Sequence, residues 1–191
     1  STDNTSEVIS KFNNDKIKVL KIKNRGIIAS SRNMGINNSL GQWIAFIDSD
    51  DIWYSNKLSI VVSFITTHRD YHVFCHDEIM NNIKTNKKKK LFYGPFFKNF
   101  YSTMLKYGNK LSTSSTVISK NYIESKNLLF RENLNLITVE DYDFWLLLAR
   151  SNANFYFIKK FLGEYRIHDS NMSVININFF DNLLFLVHDH V

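Results

Sequence analysis

"WIAFIDSDDIWY" (residues 43–54) is the stretch of sequence that decides the fold. An apolar run, Trp43–Ile47, leads directly into three carboxylates, Asp48, Asp50 and Asp51. A short, continuous apolar run is typical of a strand that is buried on both faces of a sheet. Ligands of open α/β sheets bind beyond the carboxyl ends of the strands. The stretch therefore predicts a buried strand that delivers acidic side chains to a binding site.

The segments around this stretch alternate between helical and strand-like patterns. Apolar residues recur at helical spacing in some segments and alternate with a period of two in others. We predict helices at 5–14, 30–40, 55–68, about 112–126, about 139–151 and 174–191, and strands at 16–23, 43–48, 71–80 and 155–161. This order indicates an α/β fold with a mostly parallel central sheet flanked by helices. Because no Pro-, Gly- or Ser-rich linker interrupts the chain, we predict a single domain over residues 1–191.

The chain is basic, with a formal net charge of +6. A basic surface suits partners that carry phosphate groups. The four-lysine run Lys87–Lys90 contributes to this charge, and we interpret it mainly as a solvated loop, with contact to an acceptor or a membrane surface as the alternative. A nucleic-acid-binding domain would combine basic residues with stacking aromatics. Since the strongest polar cluster here is acidic, no nucleic-acid partner is expected.

The chain has one cysteine, Cys75, which excludes an internal disulfide and is typical of a reducing compartment. We interpret it as a small buried apolar residue on a strand. No run of about 20 apolar residues occurs, so no membrane-spanning helix is predicted. These features predict a cytoplasmic protein.

The carboxylates after the apolar run are candidates for a metal site. Side chains two residues apart on an extended segment point the same way, so Asp48 and Asp50 can converge while Asp51 diverges. Close carboxylates repel unless a cation lies between them, and Mg²⁺ or Mn²⁺ would supply that charge. The alternative is an Asp-rich turn that caps the following helix, which is the interpretation favoured for Asp51. The residue types by themselves leave both interpretations open.

Five segments, in order along the chain, carry a motif pattern: "STDNTSEVISKF" (1–12), "NRGIIASSRNMGI" (24–36), "FIDSDD" (46–51), "VEDYDFWLLLA" (139–149) and "YRIHDSNMS" (165–173). They resemble the motifs of the family 2 inverting glycosyltransferases, which have the GT-A fold, although Ser31 stands where that family usually has Ala. Members of the family have a strand, a helix and a second strand before the first motif. The resemblance therefore implies a GT-A domain that is incomplete at its N-terminus.

The resemblance implies metal-dependent transfer of a sugar, with inversion, from a nucleoside diphosphate sugar to an acceptor hydroxyl. The expected donor is a UDP-sugar, the acceptor is a saccharide or a lipid-linked molecule, and the process is bacterial surface polysaccharide synthesis. Such an enzyme would be cytoplasmic, with peripheral contact at the inner face of the membrane as a further expectation. An inactive remnant or a non-catalytic binding fragment of such an enzyme is the alternative.

The resemblance also implies roles for particular residues. Arg32 and Asn33 would line the nucleotide pocket, and Asp48 would face the ribose of the nucleotide. Asp50 would hold Mn²⁺ or Mg²⁺ and contribute to nucleotide-sugar binding, with His168 as a second metal ligand.

The catalytic pair that the resemblance implies lies at the start of the predicted helix at about 139–151. Asp141 would be the general base and Glu140 its neighbour. Without the resemblance, both are acids that favour the positive end of a helix dipole. Asp143, two residues further on, should point elsewhere.

Overall fold

The computed structural model describes residues 4–12, 14–95, 99–168 and 178–191. The helices are α1 (Thr5–Ser10), α2 (Ile28–Asn38), α3 (Lys57–Thr67), α4 (Phe100–Tyr107), α5 (Lys120–Ser125), α6 (Glu140–Arg150) and α7 (Phe179–His190), with a 3₁₀ turn at Leu134–Leu136. The strands are β1 (Trp43–Ala45), β2 (Ile52–Trp53), β3 (Val73–Asn82), β4 (Lys87–Leu91), β5 (Thr116–Ser119) and β6 (Phe155–Ile167).

The six strands form one sheet in the order β1-β5-β3-β6-β2, and β4 pairs with the second half of β3. Within the described ranges, β3 with β6 is the only parallel pair, and the other pairs are antiparallel. The prediction of a mostly parallel sheet is therefore wrong for these strands. One cause is the short turn at 83–86 between β3 and β4, because parallel neighbours need a crossover of about a dozen residues or more.

The core lies on both faces of the sheet because side chains alternate along each strand. Val73 and Cys75 of β3 face a large cluster that includes α6, whereas Phe74 faces a smaller cluster with Val61 of α3. Trp145 of α6 is fully buried in the large cluster. The arrangement of helices on both faces of a sheet is the predicted α/β architecture, and the interpretation of Cys75 as a buried apolar residue is confirmed.

Two predicted strands differ from the structure. Residues 16–23 form no strand, and Ile17, Val19 and Ile22 are each about half exposed. An apolar alternation makes a strand only where a neighbouring strand takes its backbone hydrogen bonds, and no described strand pairs with this segment. β1 has only three residues and lies at an edge of the described sheet rather than in its centre.

Two other segments were assigned the wrong structure from sequence. The helix predicted at about 112–126 is a turn, then β5, then α5, because Thr116–Ile118 are all β-branched and pair with β1 and β3. Ser119 then caps α5 through its side chain, which accepts from the backbone N–H of Tyr122. The lysine run predicted as a loop is β4, an exposed strand that pairs with β3.

We predict that Gly163→Ala destabilises the fold, because Gly163 of β6 lies opposite Trp53 of β2. An added Cβ would lie 2.6 Å from the carbonyl oxygen of Ile52, so the two strands would have to separate. Such overpacking typically costs about 1–3 kcal/mol of unfolding free energy, measurable by urea denaturation. The matched control is Gly35→Ala in α2, where an added Cβ meets nothing within 4 Å. Equal unfolding free energies for the two variants would contradict the prediction.

Candidate active site

A cavity of about 820 Å³ opens where the turn after β1 faces the N-terminus of α6. Its volume is within the range of about 300–1,000 Å³ that is common for small-molecule sites. The wall also includes residues of α2, of the 108–113 segment and of α7. Five of the residues predicted from sequence line this cavity: Arg32, Asp48, Asp50, Glu140 and Asp141.

Arg32 of α2 joins the two acidic parts of the cavity. Its guanidinium donates to Asp48 Oδ1 at 2.9 Å and to Glu140 Oε1 at 2.7 Å. Burial lowers the pKa of Arg32, but the carboxylates of Asp48, Asp141 and Glu140 outweigh that effect and raise it, so the guanidinium stays charged. A planar group that holds two carboxylates at once fixes the distance between the acidic turn and α6.

Glu140, the first residue of α6, has one carboxylate oxygen bonded to Arg32 and one that is not. Its Oε2 is buried and has no hydrogen-bond partner within the described parts of the chain. A buried acceptor of this kind is costly to leave unpaired. Glu140 itself lines the cavity.

Asp141 is partly buried beside Glu140. Its Oδ2 lies 3.4 Å from the amide nitrogen of Asn109 and 3.4 Å from the hydroxyl of Thr113. Burial, and then the charge of Glu140, raise the pKa of Asp141 to about 6, although Arg32 opposes the shift. A carboxylate with a pKa near the working pH is suited to take a proton from a bound hydroxyl.

Asp50, which lines the cavity, contacts His168, which lies 118 residues further along the chain, with His168 Nε2 3.2 Å from Asp50 Oδ2. Mg²⁺ commonly takes only one or two protein ligands and completes its shell with water and phosphate oxygens. Carboxylate and imidazole ligands together also suit Mn²⁺. No group of three or more potential metal ligands occurs in the part of the chain that the structure describes. The pair therefore fits a metal that is shared with a phosphate ligand.

Two residues do not lie where the sequence predicted. Asn33 is buried away from the cavity, and its side chain donates to the carbonyl of Phe130 and accepts from the N–H of Phe130. It therefore holds the 130–132 segment and does not line the cavity. Asp51 does not cap a helix, because β2 follows it, and its carboxylate accepts from the backbone N–H of Arg166 on β6 at 2.9 Å.

Asp143, by contrast, points away from the cavity as predicted. It is fully buried, pairs with Arg131, and lies 2.9 Å from His190 Nε2. Asn109, next to Asp141, was missed by sequence reasoning because a single Asn in a loop carries no local signal. The rest of the "YRIHDSNMS" segment after His168 lies outside the described residues.

The fold is that of a GT-A-type glycosyltransferase domain. The structure matches that of S. aureus TarS (residues 1–349), solved in complex with UDP, with a TM-score of 0.69 and 18% identity over 100% of this chain and 53% of that chain. The family model for glycosyl transferase family 2 matches residues 1–135. The chain therefore belongs to this family, and both the resemblance and the GT-A fold are confirmed.

Curated relatives agree with this assignment. An uncharacterised glycosyltransferase of Rickettsia conorii is 32% identical over 165 residues, which are 80% of this chain and 24% of that protein. The UDP-Glc:α-D-GlcNAc-diphosphoundecaprenol β-1,3-glucosyltransferase WfgD of Escherichia coli is 29% identical over 91% of this chain and 64% of its own length. The chain thus spans less than two thirds of these relatives.

Among the helices that the structure describes, none is both long and apolar enough to traverse a lipid bilayer.

Proposed function

We propose that this chain is the donor-binding and catalytic part of a metal-dependent inverting glycosyltransferase. The donor would be a nucleoside diphosphate sugar with UDP as its nucleotide. The observation that carries the proposal is the joint position of Asp48, Glu140 and Asp141 around Arg32 in one cavity, with the pKa of Asp141 raised to about 6. This arrangement combines a binding site for a polar ligand with a base of suitable strength.

In the proposed reaction, Asp141 Oδ2 takes the proton of the acceptor hydroxyl. The acceptor oxygen then forms a bond to the anomeric carbon while the bond from that carbon to the diphosphate breaks on the opposite face, which inverts the configuration. Asn109 and Thr113 hold the base by their contacts to the same carboxylate oxygen. When bound by Asp50 and His168, the metal would neutralise the charge of the departing diphosphate.

Asp48 and Glu140 would bind the donor rather than transfer protons. The carboxylate of Asp48 is oriented by Arg32 and is 41% exposed, so it can accept from the hydroxyls of a ribose. Glu140 lines the same cavity, and its unpaired Oε2 would accept from a sugar hydroxyl once the side chain turns toward the ligand. A hydroxyl that satisfies a buried acceptor contributes more to selectivity than one that replaces a water contact.

For the acceptor, we propose a saccharide or a lipid-linked saccharide in polysaccharide synthesis. The name of WfgD, which acts on a diphosphoundecaprenol-linked sugar, supports this class. Apolar side chains of Phe179 and Leu183 on α7 form part of the cavity wall and can contact the less polar parts of an acceptor. If the acceptor is lipid-linked, the protein would act at the cytoplasmic face of a membrane.

The test measures nucleotide binding and turnover with the purified protein. We expect UDP with Mn²⁺ to raise the melting temperature more than UDP alone, because only bound states are stabilised by ligand. UDP-sugars with Mn²⁺ should also yield UDP at a rate that increases when an acceptor is added. A melting shift without turnover would favour the alternative, a binding fragment without transferase activity. No shift with any nucleoside diphosphate would refute the proposed function.

A further inference from the structure

Lys57, the first residue of α3, is a fully buried lysine beneath the candidate active site. Its Nζ lies 2.5 Å from the carbonyl oxygen of Ser114 and 3.8 Å from the centre of the Trp53 ring. Burying an ammonium group is costly unless it is paired. Burial accordingly lowers the pKa of Lys57 to about 7, although the charge of Glu78 opposes that effect. An apolar side chain would fill this space at lower cost.

Ser114, the residue that Lys57 holds, connects two parts of the chain. Its carbonyl also accepts from the indole N–H of Trp53 at 2.8 Å. Its hydroxyl accepts from the backbone N–H of Asp48 at 2.9 Å, and the same side chain limits the rise that burial causes in the pKa of Asp51. The first residue of the acidic turn at 48–51 is therefore attached to Ser114.

The residue before Ser114 reaches the other half of the site. Thr113 is buried, and its hydroxyl lies 3.4 Å from Asp141 Oδ2. Residues 113 and 114 thus contact the proposed base on one side and the proposed donor-binding turn on the other. The buried amine of Lys57 holds this bridge at the carbonyl oxygen of Ser114.

We infer that Lys57 is a positioning residue, which acts through Ser114 to set the separation between the acidic turn at 48–51 and the base Asp141. This inference rests on the proposed function, because the separation matters only if both groups act on one substrate. Lys57 itself is fully buried and does not touch the cavity, so it contacts neither donor nor acceptor. Misplacing reacting groups by about 1 Å can lower a rate by about 100-fold.

Lys57→Met tests the inference, with Lys120→Met as the matched control. Lys120 is the first residue of α5, and its Nζ also donates to a backbone carbonyl, that of Ser39 at 2.6 Å, but outside the cavity. We expect Lys57→Met to lower kcat by about 100-fold and to change the Kd for UDP by less than about threefold. Lys120→Met should leave kcat unchanged.

A second measurement keeps the test independent of turnover. Hydrogen exchange of the Asp48 amide, which bonds the Ser114 hydroxyl, should be faster in Lys57→Met than in Lys120→Met. Ser114→Ala removes the same bond while it leaves the carbonyl for Lys57, so its effect on kcat should not add to that of Lys57→Met. Additive effects, or a wild-type kcat and exchange rate in Lys57→Met, would overturn the inference. If the wild-type protein itself shows no transfer, the proposed function fails, and exchange alone decides whether Lys57 orders the turn.

Discussion

Replacing Asp141 by Asn is expected to abolish sugar transfer while UDP still binds. Asn keeps the size of the side chain and one of its two acceptor oxygens, but it cannot take the proton of the acceptor hydroxyl. General base catalysis typically contributes about 10²–10⁴-fold to the rate, so kcat should fall by at least about 100-fold. The measurement is turnover of a UDP-sugar with acceptor, together with the Kd for UDP. If UDP affinity falls as much as kcat, Asp141 is structural and the base assignment is wrong.

The same carboxylate determines the expected pH dependence. Because the pKa of Asp141 is about 6 instead of 3.8, its proton is held until the pH rises through 6, and activity should rise over the same interval. A raised carboxylate pKa means that ionisation costs stability. The stability that the protonated carboxyl contributes is fully present below about pH 3.8, and it is lost as the pH rises through 6. At pH 7 or above, Asp141→Asn should therefore be as stable as the wild type or more stable.

Asp143→Asn is the matched control for this experiment, since the two residues lie in the first turn of α6. Asp143 is fully buried and paired with Arg131 and His190. Removing one charge from a buried pair leaves its partner uncompensated. Asp143→Asn should therefore lower the melting temperature, whereas Asp141→Asn should not. The reverse pattern would mean that the roles of the two residues are exchanged.

Asp50→Asn is expected to remove the dependence of UDP binding on Mn²⁺. An amide is a weaker ligand than a carboxylate for a hard cation, and it leaves His168 as the only other member of the pair. With Mn²⁺ present, we expect the Kd for UDP to rise by at least about tenfold, which is 1.4 kcal/mol of binding free energy. In EDTA, the variant and the wild type should bind UDP equally.

Isothermal titration calorimetry measures the Kd of Asp50→Asn for UDP, once with Mn²⁺ and once in EDTA. Asp70→Asn is the control, because Asp70 is an exposed carboxylate outside the cavity and should leave both affinities unchanged. A variant that keeps the full effect of Mn²⁺ on UDP binding would refute the metal site at Asp50 and His168. Loss of UDP binding even in EDTA would assign Asp50 to the nucleotide rather than to a metal.

Local patterns identified the helices that matter most for the site. The period of apolar residues in 139–151 predicted α6, and with it the place of Glu140 and Asp141 at a helix N-terminus. The pattern of 55–68 likewise predicted α3, and that of 71–80 predicted β3. Each of these elements buries one face or both against the sheet or the helices that cover it. The spacing of apolar residues in the sequence therefore reveals each element. Strand pairing was predicted poorly, because it depends on which distant segment supplies the hydrogen bonds.

The sequence by itself determined the family, the acidic turn after an apolar run, and the carboxylates that begin α6. Each of these features consists of particular residue types a few positions apart. Local sequence patterns and the family resemblance both reveal such features. Only the tertiary structure decided that Asp51 holds β6 instead of capping a helix, that Asn33 turns from the cavity, and that Lys57 lies buried under Ser114. Those positions depend on contacts between residues 57 to 115 positions apart. Such contacts form only when separate segments share one core, and a linear pattern does not encode them.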